Sequence, residues 1–364
     1  MSPSPDAVAA ISQRLDTFIS HVRFSTSELG PEAALLVDAA ATALSGGKRL
    51  RGRFCVAGFR AVAESDGHPA ELSPDIIAAA AALEVFHVAA LVHDDVIDNS
   101  DTRRGRPAAH RALESTHRSA GWVGDAAAFG RSGAILLGDL LVAWSDDLLE
   151  EGLAEASPAH AAAARREYAT MRRDVTIGQF LDVAEESAFL TEPDDRHAAR
   201  ALRVASYKSA RYSIQQPLTI GAALAGADAA QLAALAAFGH PLGMAFQLRD
   251  DVLGVFGDEA QTGKPSGDDL REGKRTVLIA YAREGLDVPA RREVDALVGD
   301  PTLDDDQIAA LQATIIDTGA LDRVESLIAD YSREAEEALS SARLGEAAVD
   351  ELLELARAAT VRTT

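Results

Sequence analysis

Asp94 and Asp98 stand four residues apart in the run Leu91-Val92-His93-Asp94-Asp95-Val96-Ile97-Asp98. Four residues is close to one helical turn, so on a helix both carboxylates lie on one face. Like charges at that spacing repel, and a cation between them relieves the repulsion. Arg103 and Arg104 follow closely, ahead of Gly105. Carboxylates suit a hard divalent cation and guanidinium groups suit phosphate, so the stretch reads as a site for a metal-diphosphate. His87, Ala90, Asp94 and Asp98 share one helical stripe. A histidine there is often a satisfied core group, but two turns before a carboxylate pair it serves equally as a ligand contact. A second run has the same design. Phe246-Gln247-Leu248-Arg249-Asp250-Asp251-Val252-Leu253-Gly254 again ends an apolar stretch in paired aspartates.

The cations are placed unevenly. Of 35 lysines and arginines, only Lys48, Lys208, Lys264 and Lys274 are lysine. Lys48 follows Gly46-Gly47 and opens a basic turn with Arg49, Arg51 and Arg53. There, backbone N–H groups and side chains can converge on an anion. A C-cap glycine before a solvated basic helix start accounts for the same residues. Lys208 lies in Tyr207-Lys208-Ser209-Ala210, which interrupts a helical run ahead of Pro217. Lys264 lies in Thr262-Gly263-Lys264-Pro265, and Lys274 in Glu272-Gly273-Lys274-Arg275-Thr276. Biased codon usage is one account of so few lysines. The other is a need for a compact ammonium where a wide guanidinium does not fit. Gln179 and Asp182 face the same way on their helix, as a polar stitch between helices or as support for a metal.

The elements that must position these groups are helical. Residues 5–45 read as amphipathic helix broken near Gly30-Pro31, and Ser73-Pro74 starts a long buried helix to residue 99. Further helices are expected over 124–151, 158–187 and 227–256. A polar loop follows over 257–273, and charged amphipathic helix over 285–360. Residues Arg103 to Pro107 read as loop. Aromatics make up 5% of the 364 residues and strand-type runs are nearly absent, so the fold class is all-α. A formal charge of −22 argues against nucleic-acid binding. The lone Cys55 excludes an internal disulfide and fits a reducing compartment. The start lacks a signal-peptide pattern, and the apolar run Ile76–Val92 is broken by Glu84 and His87. A cytoplasmic protein without stable membrane insertion is therefore expected.

If the two aspartate-bearing helices are neighbours, their carboxylates can face each other over apolar walls. That would suit a ligand with a diphosphate head and a hydrocarbon tail. With this set of motifs in this order, the sequence resembles the trans-isoprenyl diphosphate synthases of the polyprenyl synthetase family over roughly residues 40–285. The resemblance implies a single-domain, homodimeric bundle of about a dozen helices around a central apolar cavity. Core motifs then span 46–276, with 1–45 and 285–364 as flanking helices. It implies that Lys48, Arg51, His87 and Arg104 receive isopentenyl diphosphate. Arg103, Lys208, Gln247 and Lys264 would grip an allylic diphosphate, with Ser209 and Lys274 close by. Asp94 and Asp98 would hold two Mg²⁺ ions and Asp250 a third, with Asp95 and Asp251 counted among the metal-binding carboxylates.

The implied reaction joins the two substrates head to tail into an all-trans polyprenyl diphosphate. Gly254 replaces the third aspartate that many members carry. Product length would be set just upstream of the first motif, at Ala89 and Ala90, where bulky residues close the shaft in short-chain members. One helical turn rises about 5.4 Å, close to one extended isoprene unit. The small residues therefore favour geranylgeranyl diphosphate, with Phe86 one turn deeper as the next floor. Farnesyl or longer products, a class I terpene cyclase and a non-catalytic partner subunit are the alternatives. Ala89→Phe is expected to shorten the product by at least one isoprene unit, read by chromatography. An unchanged product would contradict the shaft assignment.

Overall fold

Alanine and leucine dominate the long runs and both favour helix. The computed structural model describes residues 5–67, 71–257, 266–340 and 342–360. In chain order the helices begin with α1 (Pro5–Ser25), α2 (Pro31–Leu44), α3 (Leu50–Ser65), α4 (Pro74–Ile97), α5 (Ala109–Ser119), α6 (Ala126–Leu153), α7 (Pro158–Ala188) and α8 (His197–Val204). They continue with α9 (Gln216–Ala225), α10 (Ala229–Phe256), α11 (Asp268–Glu272), α12 (Val277–Glu284), α13 (Val288–Leu297), α14 (Asp305–Asp317), α15 (Ala320–Leu339) and α16 (Glu346–Thr360). A π-helix, Ala205–Gln215, joins α8 to α9. Among the described residues the strands are β1 (Thr102–Arg103) and β2 (Arg106–Pro107), so the fold is all-α as expected.

The chain forms two compact units, Met1–Ala163 with Gly221–Gly226, and Ala164–Ile220 with Ala227–Thr364. The divisions at residues 163 and 220 fall within α7 and α9.

In the first unit, α4 is buried along nearly its whole length. Glycines let α6 lie close against it. A Cβ on Gly138 would stand 2.2 Å from the His93 ring, and one on Gly152 would stand 2.6 Å from the Asp75 carbonyl oxygen. Gly138 thus meets the end of α4 and Gly152 its start, so the two helices run antiparallel. Glu84, the charge that breaks the apolar run, is buried and accepts a 2.9 Å hydrogen bond from the Gly52 N–H. It thereby satisfies an otherwise orphan donor in the first turn of α3. The polar helix α5 packs on α6 at Gly130, whose added Cβ would lie 2.2 Å from the His110 carbonyl oxygen. Nothing in its apolar spacing announced it.

In the second unit, α10 starts at a capping box between Asp228 and Gln231. Its buried Leu248, Val252 and Val255 join Leu278 of α12 and Val324 and Ile328 of α15 in one core. The stretch read as loop over 257–273 contains the short helix α11, set between the left-handed Gly267 and Gly273.

Length and composition alone would let three helices, α4, α6 and α10, cross a membrane, although Glu84 and His87 break the run Ile76–Val92. In α4, 78% of the apolar window is buried inside the protein, against 28% in α6. The apolar side chains of α4 are thus used by the core; α6 buries Leu137, Leu141, Trp144 and Leu148 as well, but leaves Ile135 and Leu136 exposed.

Gly221 of α9 lies against α3, and a Cβ there would be 1.9 Å from the Cys55 carbonyl oxygen. Backbone cannot swing aside as a flexible side chain can. Gly221→Ala is expected to cost about 1–3 kcal/mol or more, lowering the thermal midpoint by several degrees. An unchanged midpoint would show that this contact does not limit the packing.

Candidate active-site residues

The first aspartate motif straddles the end of α4. Asp98 caps the helix, its N–H donating to the Asp94 carbonyl at 2.8 Å. Asn99 turns the chain with a left-handed φ of 53°. The stretch read as loop after it is a two-residue hairpin, with Arg103 paired to Arg106. Its turn residues Arg104 and Gly105 both have positive φ, 54° and 70°, as a type I′ turn requires. Arg103 donates from Nε to Asp95 Oδ1 at 2.8 Å and again from Nη2, and it lies 3.7 Å from Asp94 Oδ2. Asp95 is buried, so its carboxylate serves to hold Arg103. Asp94 and Asp98 stay partly open to solvent. Upstream on α4, Phe86 and Ala89 are buried and Ala90 is half-buried.

The basic turn lies in the same unit. Gly46 and Gly47 have left-handed φ values of 70° and 92°, and Arg49 follows at 50°. Arg49 is buried and donates to the Leu44 carbonyl at 2.9 Å and to Ser12 Oγ at 3.3 Å. It ties the turn to α2 and α1. Lys48 is exposed and Arg51 buried. Gly47 faces Arg104, whose Nη1 would lie 3.2 Å from an added Cβ. Arg106 ties the hairpin to the same turn by a 3.1 Å bond to Ser45 Oγ. Burial, together with Arg51, Arg104, Arg103 and Arg49, holds the His87 imidazole well below its usual pKa. His87 is therefore neutral near pH 7 and can both donate and accept a hydrogen bond. Burial also lowers the Arg104 guanidinium from its usual range, with Glu84 opposing. Four guanidinium groups around one neutral imidazole suit an anion. The structural roles of Arg49 and Glu84 were not evident in the sequence, because Ser12 and Gly52, which they reach, are more than thirty residues away.

In the second unit, Lys208 sits in the π-helix and donates to Asp182 Oδ2 on α7. Gly178 permits this approach, since a Cβ there would stand 2.3 Å from the Lys208 backbone nitrogen. Ser209 and Gln179 are half-buried beside them in sequence. On α10, Gln247 Nε2 donates to Asp251 Oδ1 at 2.7 Å. Burial, then Asp269, pushes the Asp251 carboxyl up to about 8, against the Gln247 hydrogen bond and with Asp250 adding to the rise. The folded, metal-free protein thus keeps a proton that the unfolded chain releases. Stability from this group falls as pH rises from the ordinary carboxylate range through about 8.

Gly254 explains its own place in the motif. A Cβ there would lie 1.9 Å from Asp269 Oδ2, so a carboxylate from α11 fills the space beside the missing third aspartate. Lys274 lies 3.4 Å from Asp269 Oδ1 and 2.7 Å from Glu272 Oε2. Asp269 is a site residue the sequence did not single out. Lys264 lies outside the described residues.

The donor set is suited to a hard divalent cation. The exposed groups are carboxylates, and no three His, Cys, Asp or Glu side chains converge as a closed cage among the described residues. Mg²⁺ takes one or two carboxylates and completes its shell with water and phosphate oxygens, so the donor set fits it.

Comparison with known proteins agrees with this chemistry. The model of the family described as polyprenyl synthetase matches residues 33–315. A geranylfarnesyl diphosphate synthase of Aeropyrum pernix is 33% identical over 313 residues, covering 85% of this chain and 88% of the relative. A geranylgeranyl diphosphate synthase of Mycobacterium tuberculosis is 36% identical over 245 residues, covering 67% of this chain and 61% of the relative. The crystal structure of a Corynebacterium glutamicum geranylgeranyl pyrophosphate synthase, complexed with isoprenyl diphosphate and magnesium, superposes with a TM-score of 0.90 at 37% identity. It covers 97% of this chain and 98% of that one. An aspartate pair on a helix end, a clasped arginine beside it and a match to the family model over most of the chain lead to one assignment: this protein belongs to the polyprenyl synthetase family.

Proposed function

We propose that the protein is a Mg²⁺-dependent trans-prenyltransferase. It joins isopentenyl diphosphate to an allylic diphosphate and yields geranylgeranyl diphosphate or a similar all-trans polyprenyl diphosphate. The observation that carries this reading is the partly open pair Asp94 and Asp98 at one helix end, with Arg103 3.7 Å from Asp94 and held in place by the buried Asp95. The activities named for the relatives support it.

In the first unit, Asp94 and Asp98 would hold the cation. Lys48, Arg51 and Arg104, with neutral His87, would receive isopentenyl diphosphate, and Arg103 would donate to the allylic diphosphate. In the second unit, Asp250 would hold a cation. Lys208 and Gln247 would donate to diphosphate oxygens, with Ser209, Lys264 and Lys274 in support. Asp95 and Asp251 would act behind these groups, Asp95 by fixing Arg103 and Asp251 by fixing Gln247. When bound, Mg²⁺ draws charge from the diphosphate oxygens, and the family resemblance implies three ions. The arginines and lysines stabilise the charge that grows on the departing diphosphate as the allylic C–O bond ionises. The isopentenyl double bond attacks the allylic cation, and the proton that is then lost passes to the released diphosphate.

The open apolar face of α6, with Ile135 and Leu136 exposed, supports a homodimer in which a second copy covers it. The acidic charge and the lone, buried Cys55, its thiol pushed up to about 12, support a cytoplasmic protein.

Incubation with Mg²⁺, labelled isopentenyl diphosphate and allylic primers of increasing length tests the reading. Elongated diphosphates are expected, and their formation should stop when a chelator removes the metal. Asp98→Asn should lower kcat by about 100-fold or more. A cyclised hydrocarbon would indicate a cyclase, and no turnover would overturn the proposal. Gly254→Ala should destabilise the protein by about 1–3 kcal/mol, and adding Asp269→Ala should recover most of that loss. Strictly additive changes in thermal unfolding would show that Asp269 does not fill the space beside residue 254.

A further inference from the structure

Lys208 is carried by a π-helix, an uncommon winding that often marks a functional position. What holds this winding is visible in the side chains. Arg211 Nε donates to Ser206 Oγ at 3.3 Å. The two residues are five apart. At 3.6 residues per turn they would point roughly 140° away from each other, whereas the wider i→i+5 winding of a π-helix brings them nearer to one face. The hydrogen bond is therefore a clasp that the π winding favours.

The clasp is anchored at both ends. Arg211 Nη1 donates to Asp174 Oδ2 on α7 at 3.1 Å, and its guanidinium lies 4.0 Å from the centre of the Tyr207 ring. Ser206 Oγ lies 2.9 Å from His240 Nε2 on α10. Because Arg211 can only donate, the Ser206 oxygen accepts from it, and the hydroxyl keeps a second acceptor site and its own proton for the contact with His240. Burial, then Arg211, holds His240 below its usual pKa, so the ring is neutral, and its Nε2 is joined to Ser206 Oγ in either tautomer. Asp174 and Ser206 are nearly fully buried, so water competes little for either bond. The backbone leaves no slack. Added Cβ atoms would lie 2.4 Å from the Ala210 carbonyl oxygen at Gly243 and 2.7 Å from Gln215 Cα at Gly239. Pro217, which has no N–H, stands just past the end of the π segment.

We infer that Asp174, Arg211, Ser206 and His240 form a positioning clasp that keeps the π winding and so aims the Lys208 ammonium at the allylic diphosphate. None of the four contacts the substrate in this account, and each acts through the segment that carries Lys208. The inference rests on the reading of Lys208 as a diphosphate ligand.

Steady-state kinetics of the full-length enzyme separates the possibilities. Ser206→Ala and Arg211→Lys are each expected to raise KM for the allylic diphosphate about tenfold, the loss of one charge-assisted hydrogen bond. KM for isopentenyl diphosphate should stay as it is. Lys208→Ala should move the same constant further. An allylic KM unmoved by the clasp variants but raised by Lys208→Ala would overturn the clasp alone. Lys208→Ala without effect would overturn the reading of Lys208 and the clasp with it. If both KM values and the thermal midpoint shift together, the clasp is only structural and the inference fails. Should Arg211→Lys not fold, Ser206→Ala, which removes a single hydroxyl, carries the test by itself.

Discussion

Mutual repulsion among carboxylates is the constraint on which both aspartate-rich helix ends depend. A buried charge must be paired, neutralised or given a cation. The first motif pairs Asp95 with Arg103 and leaves Asp94 and Asp98 toward solvent. The second neutralises Asp251 with a proton and sets Lys274 near Asp269 and Glu272. In both, one aspartate of the adjacent pair turns inward and organises a cationic or amide side chain. Asp94, Asp98 and Asp250 are only half-buried, and under the proposed function they would meet a ligand that brings its own positive charge.

Close backbone approach supplies the precision. Gly138 and Gly152 set α6 directly on α4, and Gly178 sets α7 on the segment that carries Lys208. These glycines are sites where a methyl group would meet backbone or a packed ring. Arg104 and Arg49 take left-handed φ where glycine would be easier. Both are held there by what surrounds them, Arg49 by its bonds to Leu44 and Ser12 and Arg104 by the two-residue turn. Arg51, Arg103, Arg104 and His87 then sit around one place without needing a long loop.

Much of this was legible in the residues themselves. Period-3.6 apolar spacing located α4, α6, α7 and α10, and Asp94, Asp98 and Asp250 followed from their place at helix ends. Local spacing does not carry the rest. It could not tell which of Asp94 and Asp95 faces inward, because that depends on where Arg103 returns from the hairpin. Gly254 looked like a lost ligand, and only the approach of α11 shows Asp269 against it. Glu84 looked like a flaw in an apolar helix until Gly52 was found donating to it. The polar helix α5 has too few apolar residues to declare a face. The interruption at Lys208 was visible, but the π winding requires Ser206, Arg211, Asp174 and His240 together.

Binding of inorganic diphosphate by calorimetry, with Mg²⁺ and with excess chelator, tests most directly whether the open carboxylates and the gathered cations read a metal-diphosphate. The account predicts that Mg²⁺ tightens binding by at least about tenfold, or 1.4 kcal/mol, and that Asp94→Asn with Asp98→Asn removes that gain. Equal affinity with and without the cation would contradict it.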